Sequence, residues 1–295
     1  MSETAMRIEA EEPTVRVERR GLKKGLYLIP SLFTAANIGM GFFAVMGTLR
    51  GFQLLGSGGE AQLARAAEHF DAASKAIGLA VLFDSLDGRI ARMTKTTTEI
   101  GVQLDSIADV LTFGIAPAVL VYAWSYGSVF VEGSAFHKLG WFLSFLFVIC
   151  GAFRLARFNV QAMRPRVLAE GSVKVDKKSF VGLPIPPAAG LLAAIIHFAP
   201  APLAHLDARQ GALYSGAMMI LIALLGALMV STIRYTSFKS VGATRRSTRV
   251  AIVALASIGM LIWLFSRYVL LTLAAAYVLH GVLARFGSIF RRKNN

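Results

Sequence analysis

The chain has 295 residues, of which 55% are hydrophobic and only 16% charged, with a mean hydropathy of +0.59. Such a composition excludes an ordinary soluble domain and predicts several membrane spans. The net charge of +14 is dispersed between apolar segments, which excludes a nucleic-acid-binding module, and the single cysteine, Cys150, excludes an intramolecular disulfide or a cysteine zinc site.

Taken in chain order, residues 1–25 are polar and charged, do not read as a cleavable signal peptide, and form a cytoplasmic arm. Within and just after this arm, "VRVERRGLKKGLYLIP" alternates basic and apolar residues. It reads either as an interfacial amphipathic segment on the anionic leaflet or as a disordered positive anchor. Eight apolar segments then qualify as spans by the requirement of roughly 20 helical residues. Their limits are 27–49, 72–94, 99–124, 138–158, 183–200, 211–233, 250–266 and 268–287. The fifth and seventh are short, and the last two fit one helical hairpin. The expected fold is therefore all-α: a polytopic membrane bundle of about eight helices. It divides into the arm, a six-helix core over 26–235 and two additional helices with a basic tail over 236–295. With both termini in the cytoplasm, every Lys and Arg faces the cytoplasm except Arg50, Arg65, Lys75, Lys138, Arg209 and Arg267, as the positive-inside rule requires.

The second and third spans carry Asp84, Asp87, Asp105 and Asp109 in their interiors. An aspartate at a helix centre costs roughly 2.5–3.5 kcal/mol on insertion, so four unpaired ones would cost about 10–14 kcal/mol. That rivals the whole net stability of a typical domain. Protonation, basic partners or metal ions must therefore neutralise them. Asp84 and Asp87 are three apart and Asp105 and Asp109 four apart, so each pair occupies one helix face, and the short turn "MTKTTTE" lets the faces meet in one cavity open to the cytoplasm. Oxygen ligands suit Mg²⁺ or Mn²⁺ better than zinc, and four carboxylates can hold two such ions in the arrangement used for phosphoryl chemistry. Gly88, Ala91 and Gly101 let backbones or a ligand approach closely. Arg92, one turn beyond Gly88, is placed either to meet a phosphate or as an ordinary anchor at a cytoplasmic helix end.

Read together, Asp84, Asp87, Gly88, Ala91, Arg92, Gly101, Asp105 and Asp109 fit D-x-x-D-G-x-x-A-R-x8-G-x3-D-x3-D without a gap, which resembles the signature of the CDP-alcohol phosphotransferase family. The resemblance implies an integral membrane enzyme in which an alcohol attacks the β-phosphoryl of a CDP-linked lipid, forming a phosphodiester and releasing CMP. It implies Asp84, Asp87 and Asp105 as metal ligands and Asp109 as general base, also able to touch a metal. It implies Gly88, Ala91 and Gly101, with Arg92, along the nucleotide, and a homodimer, as is usual among relatives.

Four further stretches, "PSLFTAANIGMGFFAV", "LDSIADVLTFGIAPA", "FRLARFNV" and "FVGLPIPPAAG", are similar to the phosphatidylserine synthase branch of that family, over roughly residues 25–235. This implies CDP-diacylglycerol and L-serine as substrates and a bacterial inner membrane. Arg154 and Arg157, three apart on one helix face, are candidates for the lipid pyrophosphate or the serine carboxylate, and Asn159 for a further polar contact. Head-group anchoring is the alternative for basic residues at a cytoplasmic helix end, and a substrate role is favoured for at least one of the two. The proline cluster Pro184, Pro186 and Pro187 interrupts the helix near the same depth, where non-helical backbone must face protein or a water-filled cavity. The basic loop 161–179 either attracts anionic lipid or only signals orientation. His69, His137, His197, His205 and His280 lack metal-ligand spacing and receive no role. The rival readings are a different acceptor, inositol phosphate or glycerol phosphate, and, outside enzymes, a cation transporter.

Overall fold

A computed structural model describes the backbone of residues 20–94, 99–163, 179–236 and 245–293, and the side chains of 32–89, 100–160, 182–233 and, apart from 255, 253–283. The arm before residue 20 and the basic loop 164–178 lie outside the described residues, so the interfacial segment is described only from Arg20 onward, as backbone. Helix α1 (Arg20–Leu55) and α2 (Glu60–Thr94) form an antiparallel pair joined through Gly58 and Gly59, whose φ values of 67° and 94° make the tight connection. Ala66, Phe70, Ala73, Ile77 and Ala80 form the buried stripe of α2, at alternating intervals of four and three. Asp84 and Asp87 continue the same stripe. The face that packs as a hydrophobic core in one half of α2 therefore becomes the acidic face in the other. Against it, Gly51 of α1 admits the ring of Phe70: a Cβ there would lie 2.9 Å from Cε1.

The next span begins with α3 (Glu99–Asp109), passes through a π-helical turn (Val110–Ile115) and continues as α4 (Ala116–Trp124). Pro117, in the first turn of α4, has no N–H to give the Phe113 carbonyl, and the widened turn just before it accommodates that missing bond. A one-turn helix, α5 (Tyr126–Val129), ends the span; α6 (Ala135–Met163) returns, with Tyr126 and Ser144 hydroxyls bonded across the two. Helices α7 (Ile185–Phe198) and α8 (Ala208–Val230) complete the core, linked through a 3₁₀ turn at Leu203–His205.

Two three-residue strands are the one addition to an all-α expectation. β1 (Ser179–Val181) pairs antiparallel with β2 (Arg234–Thr236), Phe180 opposite Tyr235, and so closes the entry to α7 against the exit from α8. Gly182, at φ 84°, turns the chain there, and the Gly182 and Leu183 amides donate to the Ile233 and Leu228 carbonyls at 2.8 and 3.0 Å. The non-helical backbone before Pro184 is thus satisfied by protein, as membrane depth demands.

The last element, α9 (Arg245–Lys293), is broken at Phe265 (φ −135°, ψ 44°), which separates the two expected spans 250–266 and 268–287. Ser266 and Tyr268, just past the break, meet the end of α7: Ser266 Oγ lies 2.9 Å from His197 Nε2, and the Tyr268 ring packs edge-on to Phe198 at 5.5 Å. Among the described residues six stretches are long and apolar enough to cross a membrane: Leu32–Leu55, Ile100–Val129, Ala135–Val160, Ile185–His205, Ala208–Val230 and Ala256–Leu283. The expected count of eight is recovered once α9 is divided at Phe265 and α2 is added. Helix α2 is long enough, but Glu60, Arg65, Glu68, Asp71, Lys75, Asp84, Asp87, Arg89 and Arg92 depress its hydropathy.

Candidate active site

The acidic halves of α2 and α3 face one another and α1 covers them from the side. One carboxylate oxygen from each of Asp84, Asp105 and Asp109 lies within 4.8 Å of the others. Asp87 is buried beside them, and its Oδ2 accepts a 2.6 Å hydrogen bond from Thr34 Oγ1 of α1. Two unit charges 4 Å apart repel by about 4 kcal/mol at an effective dielectric of 20. The three-carboxylate cluster therefore calls for a counter-charge, and its donor set is oxygen only, the preference of a hard divalent cation. Asp109 Oδ1, buried and without a hydrogen-bond partner among the described residues, fits that requirement.

The one basic side chain that approaches Asp109 from within the described core is Arg154, on α6. It is 8% exposed, and its Nε finds no partner among the described residues. Tyr277 of α9 lies within electrostatic range of the same guanidinium, so the second half of α9 runs back from the end of α7 to the depth of the site. Arg157, one turn on, goes elsewhere: its guanidinium donates to the Val230 carbonyl at 3.2 Å and, more weakly, to that of Ser231 at 3.5 Å. There it holds the carbonyl end of α8, where a cation also complements the helix dipole. Asn159 Nδ2 donates to Ser106 Oγ at 2.8 Å, and Ser106 in turn donates to the Val102 carbonyl at 3.0 Å. Asn159 thus fastens α6 to the helix that carries Asp105 and Asp109.

Of the small residues singled out in the sequence, Gly88 and Gly101 are exposed at the mouth of the site. Ala91 and Arg92 fall in the last turns of α2, and their side chains lie outside the described residues. Two α1 residues were not among the candidates: Thr34, which orients Asp87, and Asn37, buried one turn further on, whose carbonyl accepts from Thr112 Oγ1 at 3.1 Å. Both lie within "PSLFTAANIGMGFFAV", a stretch that marked kinship without marking which residue faces the site.

A polytopic helical membrane protein with an oxygen-only acidic cluster between its second and third long helices is thereby defined. The CDP-alcohol phosphatidyltransferase family matches residues 27–225, the stretch that supplies every residue of this cluster, and the chain belongs to that family. Among curated relatives, the CDP-diacylglycerol–serine O-phosphatidyltransferase of Helicobacter pylori strain J99 is 36% identical over 222 residues, covering 73% of this chain and 75% of its own. The protein of the same name from Methanocaldococcus jannaschii is 35% identical over 162 residues, 55% of this chain and 62% of its own. An archaetidylserine synthase from Methanothermobacter thermautotrophicus is 36% identical over 168 residues, 56% and 58% respectively.

Proposed function

We propose that the protein is a divalent-metal-dependent CDP-diacylglycerol–serine O-phosphatidyltransferase, forming phosphatidylserine and CMP from CDP-diacylglycerol and L-serine. The observation that carries the reading is the convergence of Asp84, Asp105 and Asp109 within 4.8 Å, with Arg154 as the nearby cation. The names of its relatives supply the acceptor.

In this mechanism Asp84, Asp87 and Asp105, with Asp109, would hold Mg²⁺ or Mn²⁺, two ions by the number of carboxylates. Bound there, the metal would neutralise charge on the pyrophosphate and on the departing CMP. The chain's own groups do the rest. Asp109 takes the proton of the serine hydroxyl on Oδ1, the oxygen without a partner among the described residues. The hydroxyl oxygen bonds to the β-phosphorus, the bond from that phosphorus to the bridging oxygen breaks, and CMP leaves with the electron pair. Arg154 offers a forked cation to the lipid phosphate or the serine carboxylate. Thr34 keeps Asp87 in one orientation, and Gly88, Ala91, Arg92 and Gly101 border the nucleotide. Arg157 and Asn159 support the site by tying α8 and α3 to α6, with any contact to substrate secondary to those bonds.

The same reading makes 26–235 the catalytic core and 236–295 an added helical pair. It places both termini and the site on the cytoplasmic side of a bacterial inner membrane, and the chain in a homodimer. The test is an assay of purified protein with CDP-diacylglycerol and, in turn, L-serine, inositol phosphate and glycerol phosphate. Metal-dependent CMP release with serine is expected. Release with a phosphorylated acceptor but not with serine would overturn the acceptor, and full activity after exhaustive chelation would overturn the mechanism.

A further inference from the structure

Buried polar atoms that find no partner mark places where a fold leaves a hydrogen bond for something else to complete. Among the described residues five side-chain atoms meet that description. Trp124 Nε1 is one, on α4. Asp109 Oδ1 and Arg154 Nε are two more, and the proposed reaction supplies both with ionic partners. The remaining two belong to one side chain, Oδ1 and Nδ2 of Asn37, which is 1% exposed.

Asn37 is built into the wall of the site. It lies one turn from Thr34, whose hydroxyl holds Asp87 at 2.6 Å, so both share a face of α1. Its own carbonyl accepts from Thr112, one turn beyond Asp109, at 3.1 Å. Gly41, the next turn of α1, brings the helices into contact at that level: a Cβ on Gly41 would lie 2.9 Å from Thr112 Cα. Asn37 is therefore fixed between the helix level of Asp87 and that of Asp109.

Neither packing nor charge accounts for a carboxamide here. Packing alone would be served by an apolar side chain with no polar atoms to satisfy. A metal ion would engage the amide oxygen and leave the two Nδ2 protons unpaired. A phosphate would engage Nδ2 and leave Oδ1. The occupant that satisfies both ends presents a donor and an acceptor together, next to the proposed base, and an amino alcohol with a carboxylate does so. We infer that Asn37 binds the acceptor alcohol, its carboxamide both giving and receiving a hydrogen bond, so that it sets the acceptor hydroxyl toward Asp109 and helps decide which alcohol is used. This inference rests on the phosphatidyltransferase reading above.

The test compares wild type with Asn37→Ala, Asn37→Ser and Asn37→Asp, as full-length protein in detergent. KM is measured for serine and for CDP-diacylglycerol, together with the Mn²⁺ concentration for half-activation and the thermal shift produced by CDP-diacylglycerol with Mn²⁺. The serine KM is expected to rise at least tenfold in Asn37→Ala, with the other three quantities within twofold of wild type. A serine KM within twofold of wild type would overturn the inference and leave Asn37 with packing or one buried water. A parallel rise in the Mn²⁺ requirement would overturn it in favour of a metal ligand. If Asn37→Ala does not survive purification, the serine and aspartate variants carry the same comparison. Should wild type give no product with serine, the acceptor reading fails on its own, and the KM comparison is made with the acceptor that wild type uses.

Discussion

Helix α2 carries acids at two levels, and the fold treats them in opposite ways. Asp71 is met by partners from its own chain: Lys75 Nζ at 2.6 Å, and His197 Nδ1 at 2.5 Å, with Ser266 Oγ closing the other side of the imidazole at 2.9 Å. About 20 Å further along the same helix, Asp84 joins Asp105 and Asp109, and among the described residues Arg154 is the cation that approaches Asp109, while Asp109 Oδ1 and Arg154 Nε find no partner. The first cluster is complete without a ligand and ties α2, α7 and α9 into one body. The second is a set of like charges that folding leaves unfinished. A buried acid thus indicates a joint when the chain supplies its counterpart, and a binding site when it does not.

That contrast is broken most severely at Asp109. Asp109→Asn is expected to lower turnover by about 10²–10⁴-fold while nucleotide binding and the melting temperature hold, checked by CMP release and a thermal shift with CDP-diacylglycerol. A melting temperature that collapses with turnover would move Asp109 to the class of Asp71. Next comes chelation: EDTA should abolish activity, Mg²⁺ or Mn²⁺ should restore it, and a saturating metal at 100 times its Kd should stabilise the protein by about 2.7 kcal/mol. The two acids should also differ in sign. In chelator, Asp84→Asn relieves repulsion and should raise stability by about 1–3 kcal/mol, whereas Asp71→Ala removes the partner of a buried imidazole and should lower it by a similar amount. Melting curves of the two variants side by side settle the sign. The smallest effect is expected at Asn159→Ala, which removes one bond to Ser106 and should cost about 1 kcal/mol with under a tenfold change in kcat.

The parts of this arrangement set by local periodicity were legible in the sequence. Spacings of three and four put Asp84 with Asp87 and Asp105 with Asp109, and a short turn between their helices allowed those faces to meet. What depended on distant contacts was not. Thr34 and Asp87 are 53 positions apart, and nothing in the spacing of α1 indicates which polar residue turns toward the acids. Arg154 and Arg157 share a face by spacing, yet a long side chain chooses its own partner, and only Arg154 takes the inward one. His197 was given no role because its partners, Asp71 and Ser266, lie 126 and 69 positions away. The two strands escaped notice because three residues are too few for an alternating pattern to register.

The π-helical turn at Val110–Ile115 interrupts the span that carries Asp105 and Asp109. A single surplus residue sets the two halves of that span out of phase by roughly 100°. The half before it can aim its acids inward while the half after it, from Pro117 onward, presents an independently chosen side to α6 and α7. Excising one residue there would bring the two halves back into α-helical phase, with the carboxylates swung away from their counterparts on α2. The reaction centre is held in place by a phase offset within one rod, and undoing that offset would also swing Ser106 away from Asn159.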